Sequence, residues 1–110
     1  MPLTNQQIRI IKKTIVTGQD RLPILFNAVS DPTRCRIFRL LMVTRGDVKV
    51  SDIAHIMSMT LPAISQQLKI LEQSGLVSRE KIAQTVYYRI KKDDPIVMSI
   101  VKTILKEQRR

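Results

Sequence analysis

Cysteine, histidine, tryptophan and acidic side chains are all scarce in this chain, and each shortage removes a class of function. Cys35 is the only cysteine, so an internal disulfide framework cannot form, which fits the reducing cytoplasm. One histidine, His55, and one cysteine are a poor stock for a transition-metal site, which needs three or more N, O or S ligands. There is no Ser/His/Asp set, no neighbouring Cys/His pair, no phosphate loop and no cofactor fingerprint. Neither an enzyme nor a cofactor is therefore expected. The N-terminus lacks the basic, apolar, small-residue order of a leader peptide. No apolar run approaches the roughly 20 residues of a membrane span. A cytoplasmic chain with no membrane partner is the expectation. Acids number 9 against 19 Lys and Arg, a formal net charge of +10 that calls for a polyanionic partner, nucleic acid before any acidic membrane surface.

What is present is enough for one domain: 110 residues with 44% hydrophobic side chains. Ile8, Ile11 and Ile15 recur at helical spacing, predicting a helix over about 5–17 with Gly18 as its stop. A second helix covers Leu22 to Val29. Asp31-Pro32 then starts a third, because Asp caps free N–H groups and Pro is pre-shaped for the first turn. It runs to Val43 and ends near Gly46. Ser51 is the N-cap candidate of a short helix through Ile53, Ala54 and Met57. Thr60 caps the next helix, and Gly75 ends it. After Gly75 the pattern changes to strand formers: Leu76 and Val77, then Val86, Tyr87, Tyr88 and Ile90. They read as a β-hairpin with a basic, polar tip. Asp94-Pro95 opens a last helix to about Gln108. The expected fold is mainly α with a small β-hairpin: a winged helix-turn-helix core over 21–92, flanked by helices in 1–20 and 93–110 that form a dimer interface.

Within residues 61–74, Leu61, Ile64, Leu68 and Leu71 form one core-facing stripe. The opposite side carries Pro62, Ala63, Gln66, Lys69 and Gln73, flanked by Ser65 and Gln67. Ile70 falls on that polar side and is expected to pack against a neighbouring element. Groove reading asks for short or amide side chains: Gln pairs with adenine, Ser and Thr donate or accept, and Ala touches a thymine methyl. Thr60, Ala63, Ser65, Gln66 and Gln67 meet that requirement, while Lys69 suits phosphate. The helix itself is almost neutral. The attraction must come from Arg79, Lys81, Arg89, Lys91 and Lys92 in and after the hairpin, with Gln84 at its tip.

The runs LFNAVSDPTRCRIFRLL (25–41), VSDIAHIMSMTLPAISQQLKILEQSGLV (50–77) and TVYYRI (85–90) resemble the arsenic-repressor type regulators of the ArsR/SmtB family. The resemblance implies a homodimeric repressor on double-stranded DNA, its helix after Thr60 entering the major groove. It implies base reading by Thr60, Pro62, Ala63, Ser65 and Gln66, beside Gln67. It further implies that the first and last helices make the dimer. The chain departs from the family at the hairpin tip, where Ala83 stands in place of a common Gly; a turn with positive φ would be strained there. Where the family places its thiol ligands this chain has Lys49 and Ser51, which are not soft ligands. The last helix has no His, and Glu107 is its only acid, with Asp93 and Asp94 just before it. No metal site is therefore expected.

His55 reads as a surface or packing residue. Cys35 shares an apolar face with Phe38 and Met42 and is expected in the core; a redox role would need exposure and the influence of Arg34, Arg36 and Arg39. On the last helix Ile96, Val97, Ile100, Val101, Ile104 and Leu105 spread over about half the circumference, more than one core requires. Together with Ile8, Ile11 and Ile15 they are the expected dimer residues. Two recognition helices about 34 Å apart would then read an inverted repeat. Two other readings stay open: a non-specific architectural protein drawn to DNA by charge, and a protein-interaction module that has kept the fold and lost DNA binding. The effector is not legible.

Overall fold

The computed structural model describes residues 2–16 and 20–108. In chain order they form α1 (Asn5–Ile15), α2 (Leu22–Ser30), α3 (Pro32–Thr44), α4 (Val50–Met57), α5 (Leu61–Ser74), β1 (Val77–Ile82), β2 (Thr85–Ile90) and α6 (Pro95–Gln108). The expected stop at Gly18 lies outside the described residues.

Caps explain most of the boundaries. Asp31 accepts from the Arg34 backbone N–H at 3.0 Å, and Thr60 accepts from that of Ala63 at 3.3 Å. The chain leaves α3 through a left-handed Arg45 (φ +57) and Gly46 (φ +76), and leaves α5 through Gly75 (φ +93). Thr4 and Gln7 form a capping box at the start of α1. Ser51 is not a cap. Lys49 holds that position with extended backbone and no side-chain bond, so Ser51 lies inside α4, and Asp52 supplies the negative charge favoured in the first turn.

One core holds the body together. Leu25 of α2, Ile37, Phe38 and Leu41 of α3, Ile53 of α4, and Ile64, Leu68 and Leu71 of α5 are all sealed from solvent, as are Leu76 and Val77 where the hairpin starts. Each such side chain contributes roughly 1.5–3 kcal/mol on burial. α5 is therefore gripped from α2, α3, α4 and β1 at once. Leu61 is an exception to the predicted stripe. It is 50% exposed, at the first residue of α5. Cys35 is half-buried rather than enclosed, while Phe38 on the same face is fully covered. Ile70 is also half-buried and lines a hollow with Pro23 and Ile24 of α2.

The hairpin is antiparallel, from Val77 opposite Ile90 to Ile82 opposite Thr85, and turns on Ala83 and Gln84. Ala83 has φ +56, so alanine does hold the left-handed conformation in which glycine is at ease. Relief of that strain outweighs the entropy glycine adds to the unfolded chain. Ala83→Gly is expected to raise the unfolding free energy by about 0.5–1 kcal/mol. Urea denaturation reads this directly; a destabilised variant would show that the tip is not strained.

α6 is anchored at its start. Asp94 accepts from the Ile96 backbone N–H at 3.0 Å and pairs with Arg21 just ahead of α2. The Arg21 hydrogen bond holds the Asp94 carboxyl below its ordinary range despite some opposing desolvation. The pair's stabilisation is thus complete above the ordinary carboxylate pKa and is lost as pH falls through the lowered one. Val97, Ile100 and Val101, expected at a dimer interface, are buried in the chain's own core instead. Ile96 and Ile104 of the same helix are half-buried and Leu105 is exposed. α1 is the opposite case: none of its residues is buried, and Ile8, Ile11 and Ile15 are 48%, 46% and 73% exposed.

Candidate nucleic-acid interface

α4 and α5 are joined by a left-handed Ser58 (φ +54), then Met59 and the Thr60 cap. This short link lets α4 brace α5 while the outer side of α5 stays clear. With Ile64, Leu68 and Leu71 turned inward, Pro62, Ser65, Gln66, Lys69 and Gln73 form a continuous exposed row, and Ala63 is half-exposed beside it. Thr60 is exposed as well, with its hydroxyl oxygen engaged as the cap. Leu61 adds an apolar side chain to this end of the helix, and Ile56 of α4 is 59% exposed.

Gln67 is set apart from that row. It is half-buried, and its Oε1 accepts from Arg34 Nη1 at 3.3 Å. Arg34 also donates through Nε to the Ala28 carbonyl at 2.7 Å. One guanidinium of α3 therefore ties the end of α2 to the middle of α5. The sequence presents Arg34 as part of a motif and as a neighbour of Cys35, not as a tie between helices; its position three residues after an Asp cap is the available signal.

The wing distributes its charge unevenly. Arg89 donates from Nε to Glu80 at 2.7 Å, and from Nη1 to Asp47 at 2.8 Å and to the Arg45 carbonyl at 2.9 Å. It also lies over the Tyr87 ring, 5.5 Å from its centre. These bonds, Asp47 first and Glu80 second, raise its pKa further. Arg89 is thus a brace between the wing and the end of α3, occupied rather than free for phosphate as expected. It has a second effect: it neutralises Glu80, the only acid on β1. Arg79 and Lys81, both exposed, have no ion-pair partner among the described residues. Gln84 is exposed at the tip.

No three His, Cys, Asp or Glu side chains come together as a possible metal site among the described residues. No described helix is long and apolar enough to cross a membrane.

A helix-turn-helix followed by a two-stranded wing, with the second helix presenting a polar row, defines the winged helix-turn-helix class. The profile described as "Bacterial regulatory protein, arsR family" matches residues 31–79. The transcriptional repressor SdpR of Bacillus subtilis is 39% identical over 66 residues, covering 60% of this chain and 71% of that protein. Among solved structures, HlyU from Vibrio cholerae superposes with a TM-score of 0.69 at 24% identity, covering 82% of this chain and 94% of that one. A homodimeric winged helix-turn-helix DNA-binding domain from Mycobacterium bovis gives 0.66 at 23% identity, covering 97% and 91%. These two structural likenesses bear on the fold. The profile and the repressor match bear on descent: this chain belongs to the arsR family of bacterial regulatory proteins.

Proposed function

We propose that the chain is a cytoplasmic, sequence-specific DNA-binding transcriptional repressor that works as a homodimer on an inverted-repeat operator. The observation that carries this reading is the exposed row on α5, a helix whose other side is packed against α2, α3, α4 and β1. Pro62, Ala63, Ser65 and Gln66 face base edges, with Thr60 at the helix start. Lys69, Arg79 and Lys81 take phosphates, and Gln84 follows the wing tip along the backbone. Arg89 works indirectly, by holding the wing and cancelling Glu80. Gln67 supports the helix through Arg34.

Dimerisation accounts for the bare apolar side of α1. Ile8, Ile11 and Ile15 of one protomer, with Ile104 and Leu105 at the end of α6, are the surface a second copy covers; the half-buried Ile96 flanks it. Pairing two reading heads places them one helical turn apart and multiplies affinity. The whole chain is one domain: 21–92 is the winged core, with dimerising helices in 1–20 and 93–110. Cys35, half-exposed on α3, has no redox role in this scheme.

Salt titration of binding to a duplex tests the scheme. Arg79→Gln combined with Lys81→Gln should flatten the slope of log K against log salt by roughly two for each protomer. Ile11→Glu should shift the protein from two chains to one in sedimentation and weaken DNA binding with it. A wild-type chain that leaves duplex DNA unbound at moderate salt would overturn the proposal in favour of a protein-interaction module.

A further inference from the structure

Behind the wing lies a cavity of about 550 Å³ that the DNA-binding scheme does not use. This is within the size range of small-molecule sites. Leu41 and Met42 of α3, Ile90 of β2, and Met98 and Val101 of α6 give it an apolar floor. Its rim is cationic: Arg45, Lys91 and Lys92 carry no ion pair among the described residues, and Asp93 is the one acid among the lining residues. Arg89 also lines it, already held by Asp47 and Glu80. An apolar floor under an excess of free cations suits a molecule with the same division, an apolar body ending in an anion.

We propose that this cavity binds a small amphipathic carboxylate, its chain against Met42, Met98 and Ile90 and its carboxylate between Arg45, Lys91 and Lys92. A neutral lipid would leave the rim without a partner, and a polar anion would leave the floor wet. The site joins three elements: the end of α3, the root of the wing and the first turns of α6. A carboxylate there also competes with Asp47 and Glu80 for Arg89, the arginine that braces the wing and lines the cavity. Occupancy therefore changes the wing's attachment to the body. The effect on DNA rests on the repressor reading; the binding itself does not.

Sodium decanoate and decan-1-ol are the probes, titrated into the full ¹⁵N-labelled chain without DNA. The expected result is saturable shifts at the amides of Met42, Arg45, Ile90, Lys91 and Met98, with decanoate bound about tenfold more tightly than the alcohol. The double variant Lys91→Gln, Lys92→Gln should remove that preference and leave decan-1-ol binding unchanged. Its spectrum without ligand reports folding independently. Equal affinity for the two probes, shifts confined to Ile8, Ile11 and Ile15 of α1, or no saturation would each overturn the site. A second titration adds decanoate to the protein bound to its selected duplex. A change in DNA affinity supports regulation through the wing; unchanged affinity with the cavity filled removes the regulatory role. If the chain binds no DNA at all, the repressor reading fails and the site is judged on the first titration.

Discussion

Replacing Gly46 with alanine is expected to lower the unfolding free energy by about 2–4 kcal/mol and the melting temperature by roughly 10–20 °C. Gly46 is buried where the chain leaves α3, with φ +76. A Cβ there would lie 2.7 Å from the Tyr88 carbonyl oxygen and 3.0 Å from Arg89 Cγ. The first obstacle is backbone, so β2 itself must retreat. Its retreat would drag Arg89 away from the Arg45 carbonyl and Asp47. The wing then loses both its seat and its brace. Gly75 is the control. Its φ is +93, but an added Cβ meets nothing nearer than Arg21 Nη2 at 3.9 Å. Gly75→Ala should cost only the left-handed conformation, about 1–2 kcal/mol. Thermal denaturation of the two variants separates the effects. Equal losses would mean that contact with the wing adds nothing at Gly46.

Gln66→Ala should leave stability unchanged and lower discrimination at one base pair by about 1–3 kcal/mol. Gln66 is exposed in the middle of the outward row of α5, away from the core contacts of Ile64 and Leu68. Its amide offers a donor and an acceptor together, the pair that adenine matches in the major groove. Lys69→Ala should behave differently. A phosphate contact carries no sequence information, so every duplex should weaken alike and the salt slope should fall by about one per protomer. Competition among single-base variants of a selected site distinguishes the two. Uniform weakening by Gln66→Ala would move that residue from the bases to the backbone.

The same helix shows what a sequence can and cannot convey. Ile64, Leu68 and Leu71 were legible as core because three residues at spacings of four and three demand one buried side. Leu61 obeys the same spacing yet is half exposed. Periodicity fixes direction around a helix but not whether a neighbour extends far enough to cover it. Caps with a side-chain oxygen, Asp31 and Thr60, announced their helices; the start of α4 at Lys49 did not, because no side chain bonds there. Sequence alone presents Arg89 as one more cation of the hairpin. Its partners Asp47 and Glu80 lie 42 and 9 residues away in the chain, and only the folded wing brings them to it. Val97, Ile100 and Val101 look surplus for a monomer because half of α6 is apolar, but the chain's own core takes up that stripe. The apolar side of α1 is the surplus that the chain does not absorb.

Selection of duplexes from a random library by the wild-type chain is the most direct measurement of base reading by α5. The account predicts an enriched inverted repeat with half-site centres about one helical turn apart, and an altered preferred base when Gln66 is replaced. A bound pool with the same sequence composition as the starting library would contradict it and leave a protein that holds DNA by charge alone.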